Sequence, residues 1–407
     1  MHATAILPKS FQNALSFVHK KRLEALFFGV DALIAGGRLS LTALGRSARG
    51  PVAPKHYIKR IDRLLGNPYL YNELPEVFGA ISQLLLEKSE RPLILIDWTR
   101  LDDNYYSLSA AVPLDGRALP VYWEVHSSRK VKNREVQTQF LKNLHALMPR
   151  NVRPIIVTDA GFQNSWFKVV AELGWDYVGR LSGWVSLRQP MCDQWRLAPS
   201  YYPDALATQP RDLGVCMVGK ALREDFHRVI LAQEFVRNPR RSKARRRRCD
   251  RGRGHTQAVK RNKEPWLIAT SLLEPMPREI IRIYAQRMQI EENYRDVKNS
   301  RFGWNFSHAK TKNPKRYAVM LLVASIGMLV MTLVGQAAEN ENHHRPYQAN
   351  TLKNRRVLSL FFLAKSMLLR DDLKWCKLRH LKEAFWTIQR KIGALTLDCK
   401  GELVGIR

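Results

Sequence analysis

The stretch Leu93-Ile94-Leu95-Ile96-Asp97-Trp98 decides the fold class, because it is a short apolar run that ends in an acid. Such a run is typical of a strand that is buried within a sheet. Residues 105–113 and 118–125 follow as two further candidate strands, separated by a turn at Asp115-Gly116. The three segments together predict an antiparallel meander.

A second apolar run, Pro154-Ile155-Ile156-Val157-Thr158-Asp159, also ends in an acid. It lies between predicted helices over 136–147 and 165–173, and a further strand is predicted over 177–181. Three strands, helix, strand, helix, strand is the element order of the ribonuclease-H-like fold, an α/β fold. In that fold the first and fourth strands are neighbours, so we expect Asp97 and Asp159 to lie together.

Residues 279–298 contain neither Pro nor Gly and predict one helix. At about 100° per residue, four side chains fall within roughly 60° on its surface: Tyr284, Arg287, Glu291 and Lys298. A carboxylate can hold a divalent metal, and Arg and Lys can bind phosphate, so this face predicts a site that cuts phosphodiesters. The alternative is an intrahelical ion pair between Arg287 and Glu291 at i, i+4.

The spacing Tyr, two residues, Arg, three residues, Glu, six residues, Lys resembles the signature of the insertion-sequence-four family of DDE transposases. The amino-acid sequence of residues 283–298 is most similar to that of the insertion-sequence-ten (transposon ten) branch. The resemblance extends from about Arg60 to the helical C-terminus, which is nearly the whole chain.

The resemblance implies that Asp97, Asp159 and Glu291 are catalytic and bind two Mg²⁺ ions, for which Mn²⁺ could substitute. These acids are far apart in sequence and can meet only through the fold. Taken singly, each aspartate could equally be a surface or capping acid. Four nearby acids are expected to stay outside the site: Asp102, Asp103, Glu292 and Asp296.

The same resemblance assigns contacts with the DNA end to Tyr284, Arg287 and Lys298. Trp266 lies 18 residues before Tyr284. In the branch of the family that forms DNA hairpins, a tryptophan at this spacing stacks on a base flipped out of the duplex. Packing in the protein core is the competing interpretation for Trp266.

The chain carries a formal charge of +31, with 67 Lys and Arg against 36 Asp and Glu among 407 residues. This excess predicts a polyanionic partner such as double-stranded DNA; scattered surface lysines are the alternative. Residues 237–263 hold 13 basic residues and one acid. At their centre are Arg245, Arg246, Arg247 and Arg248, which predict a phosphate clamp, or else a solvated loop.

The N-terminal residues 11–88 are predicted to be helical. A turn at Gly50-Pro51 precedes a basic helix over 56–65 whose apolar residues recur at helical spacing. Its other faces carry Lys59, Arg60 and Arg63. The pattern predicts a helix-turn-helix that reads terminal inverted repeats, or an ordinary helical hairpin with a solvated basic face.

These patterns predict five regions. They are a helical DNA-binding domain (1–88), a first part of the ribonuclease-H-like core (89–182), a β-rich basic insertion (183–265), a second part of the core with the Glu291 helix (266–310), and a helical C-terminal region (311–407).

Residues 318–335 form an uncharged run of 18 residues, long enough for a candidate membrane helix, although a buried helix against the sheet is the favoured interpretation. Five widely spaced cysteines indicate reduced thiols, and the N-terminus has no signal-peptide pattern. We therefore expect a bacterial cytoplasmic protein that associates with the nucleoid.

The predicted activity is cut-and-paste transposition, with nicking, hairpin formation and strand transfer. Pairing two DNA ends implies a homodimer in the active complex. Three alternatives remain open: a catalytically inactive, transposase-derived repressor, a structure-specific nuclease of the same fold, and a membrane protein.

Overall fold

The computed structural model describes residues 2–206, 209–219, 225–233, 264–306, 309, 311–348 and 355–394. These residues form two compact units. The first unit comprises residues 2–154 and 286–394, and the second comprises residues 155–285.

The elements follow in chain order. Seven helices come first: α1 (Ala3–Ile6), α2 (Lys9–Ala14), α3 (Lys20–Gly36), α4 (Leu41–Ser47), α5 (Pro54–Leu65), α6 (Pro68–Asn72) and α7 (Leu74–Leu86). The next group is β1 (Leu93–Arg100), β2 (Tyr105–Leu114), β3 (Arg117–Ser127), α8 (Arg134–Leu147), β4 (Ile155–Thr158), α9 (Asn164–Glu172) and β5 (Asp176–Arg180). Five strands follow: β6 (Ser186–Arg188), β7 (Arg196–Leu197), β8 (Arg211–Val218), β9 (Phe226–Ala232) and β10 (Trp266–Thr270). The last helices are α10 (Pro277–Ala285), α11 (Met288–Lys298), α12 (Pro314–Asn340), α13 (Leu360–Leu369) and α14 (Leu378–Ala394).

The predicted meander is confirmed in the first unit, where β1, β2 and β3 pair antiparallel. Asp115 and Gly116 form the β2–β3 turn with φ values of 50° and 84°. Positive φ at both positions is typical of the two-residue turns that match the twist of a hairpin. β1 continues two residues beyond the predicted end, and Asp97 faces Ser109 in the register between β1 and β2.

The core of the first unit is built around α12. Pro314 begins this helix, and the Asn313 side chain accepts a hydrogen bond from the Lys315 amide, which caps the first turn. Every residue from Tyr317 to Ala338 is buried. β3 and the helices α3, α5, α13 and α14 pack against it.

Two segments are long and apolar enough to cross a membrane: α12 by itself, and α3 with α4 taken together across an 84° bend. The whole apolar window of α12 is buried inside the protein. The structure therefore gives residues 318–335 the setting of a core helix, which was the favoured interpretation of their sequence.

The single helix predicted over 279–298 is wrong, because the chain forms two helices, α10 and α11, with a turn at Gln286 and Arg287. The amides of Gln289 and Ile290 bond three residues back, to Gln286 at 2.9 Å and to Arg287 at 3.1 Å. This tighter turn interrupts the helical spacing. Tyr284 therefore belongs to α10, Arg287 to the turn, and Glu291 and Lys298 to α11, instead of all four sharing one helix.

The second unit contains a sheet in the order β4-β5-β10-β9-β8-β6-β7. β4 and β5 are parallel, and the remaining pairs are antiparallel. The strands β6 to β9 lie within residues 183–265, the segment predicted to be a β-rich insertion. Phe167 of α9 stacks on Tyr177 at 4.7 Å between ring centroids, and His227 packs edge-on against both rings.

Candidate active site

Asp97 lies in the middle of β1, and α11 packs across the meander that contains it. Side chains two residues apart on a strand point to the same face, so Asp97 and Thr99 both face α11. The cross-strand neighbour Ser109 lies on this face as well. Polar side chains at these positions make the contact between strand and helix a candidate site rather than ordinary core.

Both oxygens of the Asp97 carboxylate have partners. Oδ1 accepts a hydrogen bond of 2.8 Å from the amide of Trp98. Oδ2 lies 3.9 Å from Nη1 of Arg287, whose Nη2 is 2.8 Å from Oε1 of Glu291. One guanidinium therefore joins the two carboxylates that the sequence assigned to the metal site, and the predicted Arg287–Glu291 ion pair is present.

The exposure of these side chains differs. Asp97 and Arg287 are 13% and 14% exposed, whereas Glu291 is 45% exposed. An ion pair inside a protein interacts more strongly than one in water because less solvent screens it. Asp97 is thus held in a fixed environment, and Glu291 keeps access to solvent and to a ligand.

Tyr294 lies one turn after Glu291 on α11 and is buried. Its hydroxyl donates to the carbonyl oxygen of Asp97 at 3.1 Å and is also hydrogen-bonded to Oγ of Ser109. Burial, reinforced by the nearby Asp97 carboxylate, raises the pKa of Tyr294 well above its usual value. The phenol is consequently neutral and acts as a donor toward β1.

Lys298 lies near the end of α11, and its Nζ donates to Oγ1 of Thr99. Burial lowers the pKa of Lys298 to about 8, although the Asp97 carboxylate acts in the opposite direction. Its ammonium group lies 5.5 Å from the centre of the Tyr294 ring. Lys298 therefore joins Asp97, Arg287 and Glu291 in one charged cluster.

Asp159 belongs to the second unit, where it directly follows β4 and is half-buried. Its Oδ1 accepts a hydrogen bond of 2.8 Å from the amide of Gly161. A Cβ atom at Gly161 would lie 2.9 Å from that same oxygen. The loop after β4 thus fits closely around the Asp159 carboxylate, which would have to shift if residue 161 carried a Cβ atom.

Trp266 and Tyr284, the two predicted aromatic DNA contacts, touch each other. Their ring centroids are 5.0 Å apart, and the rings meet edge to face. Trp266 is half-buried at the start of β10, and Tyr284 is buried on α10. This ring contact agrees with the interpretation that Trp266 packs against other side chains of the protein. The stacking of Trp266 on a flipped base remains a prediction.

The predicted basic helix is α5, and its cationic side chains face solvent. Lys59, Arg60 and Arg63 are all exposed, and the Arg60 guanidinium lies 3.9 Å above the centre of the Phe28 ring. At Gly45 of α4, a Cβ atom would lie 2.5 Å from the backbone of Ile58. α4 and α5 therefore pack closely, as a helix-turn-helix or a tight hairpin requires.

Four basic residues of the predicted phosphate clamp, Arg245, Arg246, Arg247 and Arg248, lie outside the described residues.

The four acids expected to stay outside the site all have local partners. Asp102 accepts from the amides of Asn104 and Tyr105, and Asp103 pairs with Arg100. Glu292 and Asp296 both lie beside Arg117.

Three residues of the site were not singled out from the sequence: Thr99, Ser109 and Tyr294. Two of them carry a periodicity signal. Thr99 lies two residues after Asp97 on a strand, and Tyr294 lies three residues after Glu291 on a helix. Ser109 could be found only after the register between β1 and β2 was known.

Among the described residues, no three His, Cys, Asp or Glu side chains are arranged to hold a metal ion. Asp97 and Glu291 nevertheless fit such a role in part, since both present carboxylate oxygens to one cationic group, Arg287. Carboxylate oxygens are the ligands that Mg²⁺ prefers. The donor chemistry within the first unit therefore suits a divalent ion.

A family model described as the transposase DDE domain matches residues 88–328, which is more than half of the chain. The match includes all three predicted catalytic acids and the whole of α11. No curated protein matches the chain. On the extent of the family match, the chain belongs to the DDE transposase family.

Proposed function

We propose that this protein is a cut-and-paste transposase of the insertion-sequence-four family, closest to the insertion-sequence-ten branch. It binds the terminal inverted repeats of its own insertion sequence, cuts the DNA there and joins the ends to target DNA. The observation that carries the proposal is the joining of Asp97 and Glu291 by Arg287 within a matched DDE transposase domain.

In this proposal Asp97, Asp159 and Glu291 hold two Mg²⁺ ions, or Mn²⁺ as a substitute. The metal pair would supply positive charge at the reacting phosphate and lower the pKa of an attacking hydroxyl group or water. The protein's own contribution is to keep oxygen ligands in place. The Trp98 amide and the Arg287 guanidinium already orient the Asp97 carboxylate.

Arg287 and Lys298 bind phosphate oxygens beside the cut. A guanidinium can form two parallel hydrogen bonds to a phosphate, and an ammonium group acts as a point charge. The depressed pKa of Lys298 supports this role, because a cation in a buried setting is stabilised when an anion arrives.

The chemistry is phosphoryl transfer in successive steps. In the first, a water oxygen forms a bond to phosphorus while the bond to the 3′ oxygen breaks, which frees a 3′-hydroxyl. That hydroxyl then attacks phosphorus on the opposite strand and expels the 3′ oxygen of the flanking DNA, which closes a hairpin. A second water attacks the hairpin phosphorus and expels the 3′ oxygen again, and the regenerated 3′-hydroxyl attacks a target phosphorus with release of a target 3′ oxygen. Trp266, with Tyr284 beside it, would stack on a flipped base and contribute about 1–3 kcal/mol.

The remaining assignments concern DNA binding and assembly. The exposed cations Lys59, Arg60 and Arg63 of α5 read the inverted repeats, and the basic segment around Arg245, Arg246, Arg247 and Arg248 clamps phosphates. A homodimer pairs the two ends. The protein acts in the bacterial cytoplasm on the nucleoid, and no membrane takes part.

The test uses a plasmid that carries the protein's coding region with its natural flanking DNA. Incubation of the purified protein with this plasmid and Mg²⁺ should release a fragment with hairpin ends and then join it to a second plasmid. Binding without cutting would identify a repressor, and cutting without joining would identify a nuclease. Either result contradicts the proposal.

A further inference from the structure

We propose that Tyr294 is a positioning residue that sets the separation of Asp97 and Glu291 through its hydrogen bond to the backbone of Asp97. The inference depends on the proposed function, because it assumes that these two carboxylates bind metal. It adds a residue that the signature of Tyr, Arg, Glu and Lys does not include.

The contact links a side chain of α11 to the backbone of β1. Tyr294 and Glu291 are three residues apart on α11, so their side chains leave neighbouring points on one face of the helix. The Tyr294 hydroxyl then reaches the carbonyl oxygen of Asp97 at 3.1 Å. A rigid phenol attached to a helix therefore fixes how far the Glu291 backbone lies from the Asp97 backbone.

Arg287 performs a different task. It contacts the outer oxygens of Asp97 and Glu291 and can be displaced when a ligand binds those oxygens. The Tyr294 contact uses no carboxylate oxygen, so a metal ion and Tyr294 do not compete for the same atoms. Tyr294 can consequently hold the two acids in place both before and after metal binding.

Ser109 completes the arrangement. It is the cross-strand neighbour of Asp97, and its Oγ is hydrogen-bonded to the Tyr294 hydroxyl and lies 3.4 Å from the Asp97 carbonyl oxygen. The phenol has one proton, so while it donates to Asp97 its oxygen accepts the proton of Ser109. The cluster thereby links α11 to two strands at the level of the candidate site.

The Tyr294 ring also packs against the ring of Trp123. The Trp123 ring centroid is 5.9 Å away, and Nε1 of Trp123 donates to Oγ of Ser325 on α12 at 2.9 Å. Replacement by phenylalanine would keep these ring contacts and remove the hydroxyl. The substitution Tyr294→Phe is therefore a specific test of the hydrogen bond.

The primary measurement is Mn²⁺ binding to the full-length protein without DNA, followed by electron paramagnetic resonance. Partners of ligand-bearing groups typically alter metal affinity by about 10- to 100-fold, and we expect Tyr294→Phe to weaken Mn²⁺ binding about 10-fold. Ser109→Ala should weaken it about 3-fold, since the main donor to Asp97 remains. The Mg²⁺ concentration that half-saturates DNA cutting should rise in parallel, while the rate at saturating Mg²⁺ changes little.

The matched control is Tyr317→Phe. Tyr317 is another buried tyrosine of the first unit, and its hydroxyl lies 2.7 Å from both Asp102 Oδ2 and the carbonyl oxygen of Ala309. This variant loses a comparable buried hydroxyl at a distance from the site. It should bind Mn²⁺ as the unaltered protein does.

Three results would overturn the inference. Unchanged Mn²⁺ binding in Tyr294→Phe, with loss of binding in Glu291→Gln, removes the positioning role and leaves the proposed function intact. Equal weakening in Tyr294→Phe and Tyr317→Phe would indicate general loosening of the unit. Unaltered protein that binds no Mn²⁺, or Glu291→Gln protein that binds it normally, contradicts the proposed function itself.

Discussion

Asp97 and Asp159 have almost the same sequence setting but different structural settings. Each follows a run of buried strand residues. Asp97 lies inside a strand that continues to Arg100, and its carboxylate faces the guanidinium of Arg287. Asp159 lies just beyond its strand, and its carboxylate accepts from the Gly161 amide two residues away.

An apolar run that ends in an acid therefore predicts a strand, but it does not predict which groups will contact the carboxylate. One oxygen of Asp97 accepts from the adjacent Trp98 amide, and the other lies near Arg287, 190 positions later in the chain. The partner of Asp159 belongs to its own turn. If both acids bind metal, Asp97 is oriented by a local amide together with a distant cation, and Asp159 by its own loop. Substitutions should separate the two arrangements.

The largest effect is expected when an acid is neutralised. Asp97→Asn, Asp159→Asn and Glu291→Gln should each reduce DNA cutting by about 10³-fold or more, because each removes a charged ligand of the proposed metal site. Binding to the inverted repeats, measured by gel shift without metal, should persist. Asp103→Asn is the control, since Asp103 is 86% exposed and pairs with Arg100. If Asp159→Asn cut DNA normally while Asp97→Asn did not, only Asp97 of the two aspartates would take part in cutting.

A smaller effect is expected at the shared cation. Arg287→Gln should reduce cutting about 10- to 100-fold, since it removes both the contact with Asp97 and a phosphate donor. Arg287→Lys should recover only part of the rate, because an ammonium group cannot span two carboxylates as a guanidinium does. The measurement is the cutting rate at saturating Mg²⁺. Full activity of Arg287→Gln would show that Asp97 needs no long-range partner.

The corresponding change for Asp159 is Gly161→Ala. Its Cβ would lie 2.9 Å from Asp159 Oδ1, so the carboxylate must shift, and we expect cutting to fall about 10-fold. Gly183→Ala is the matched control in the same unit, where the nearest atom is 3.8 Å away. A rate equal to that of the control would mean that the loop does not orient Asp159.

The smallest expected effect is on the pH dependence of stability, which should differ between the two units because each buries a different titratable side chain. Burial lowers the pKa of His227, in the second unit, to about 4. Between about pH 4 and 6.5 the unfolded chain binds a proton that the folded unit does not, so stability rises with pH by roughly 1–3 kcal/mol. Hydrogen exchange of β9 amides at pH 4.5 and 7 measures this difference, and His227→Gln should remove it.

Lys298 of the first unit should respond in another pH range. Burial lowers its pKa to about 8, so its contribution to stability rises between about pH 8 and 10.5, the usual value for lysine. Exchange of α11 amides across that range should show the rise, and it should be absent in Lys298→Met. If the stability of α11 rose between about pH 4 and 6.5, as expected for β9, and not between about pH 8 and 10.5, the role given to Lys298 would be wrong.

Much of the fold could be predicted because it depends on local pattern. The meander, the helix after it and the strand that ends before Asp159 all follow from apolar periodicity and turn residues. The Asp115-Gly116 turn is the clearest case, since both residues tolerate positive φ. These elements match the structure to within about two residues at their ends.

The candidate site could be predicted less completely. Asp97, Arg287, Glu291 and Lys298 were identified, but the turn at Gln286 and Arg287 has no Gly or Pro to signal it. A helix can tighten into a turn where side-chain contacts favour it, and those contacts are made with distant segments. Tyr294 and Ser109 were missed for the same reason, because their roles arise from packing between α11 and the first two strands.

The burial of α12 has a consequence for synthesis of the protein. Helices from both ends of the chain, α3 and α5 before it and α13 and α14 after it, cover this one apolar segment. The helices α3 and α5 therefore cannot reach their final packing until α12, which ends at Asn340, has left the ribosome. A chain that lacks α13 and α14 would leave part of the apolar surface of α12 uncovered, and chaperones and proteases could act on it.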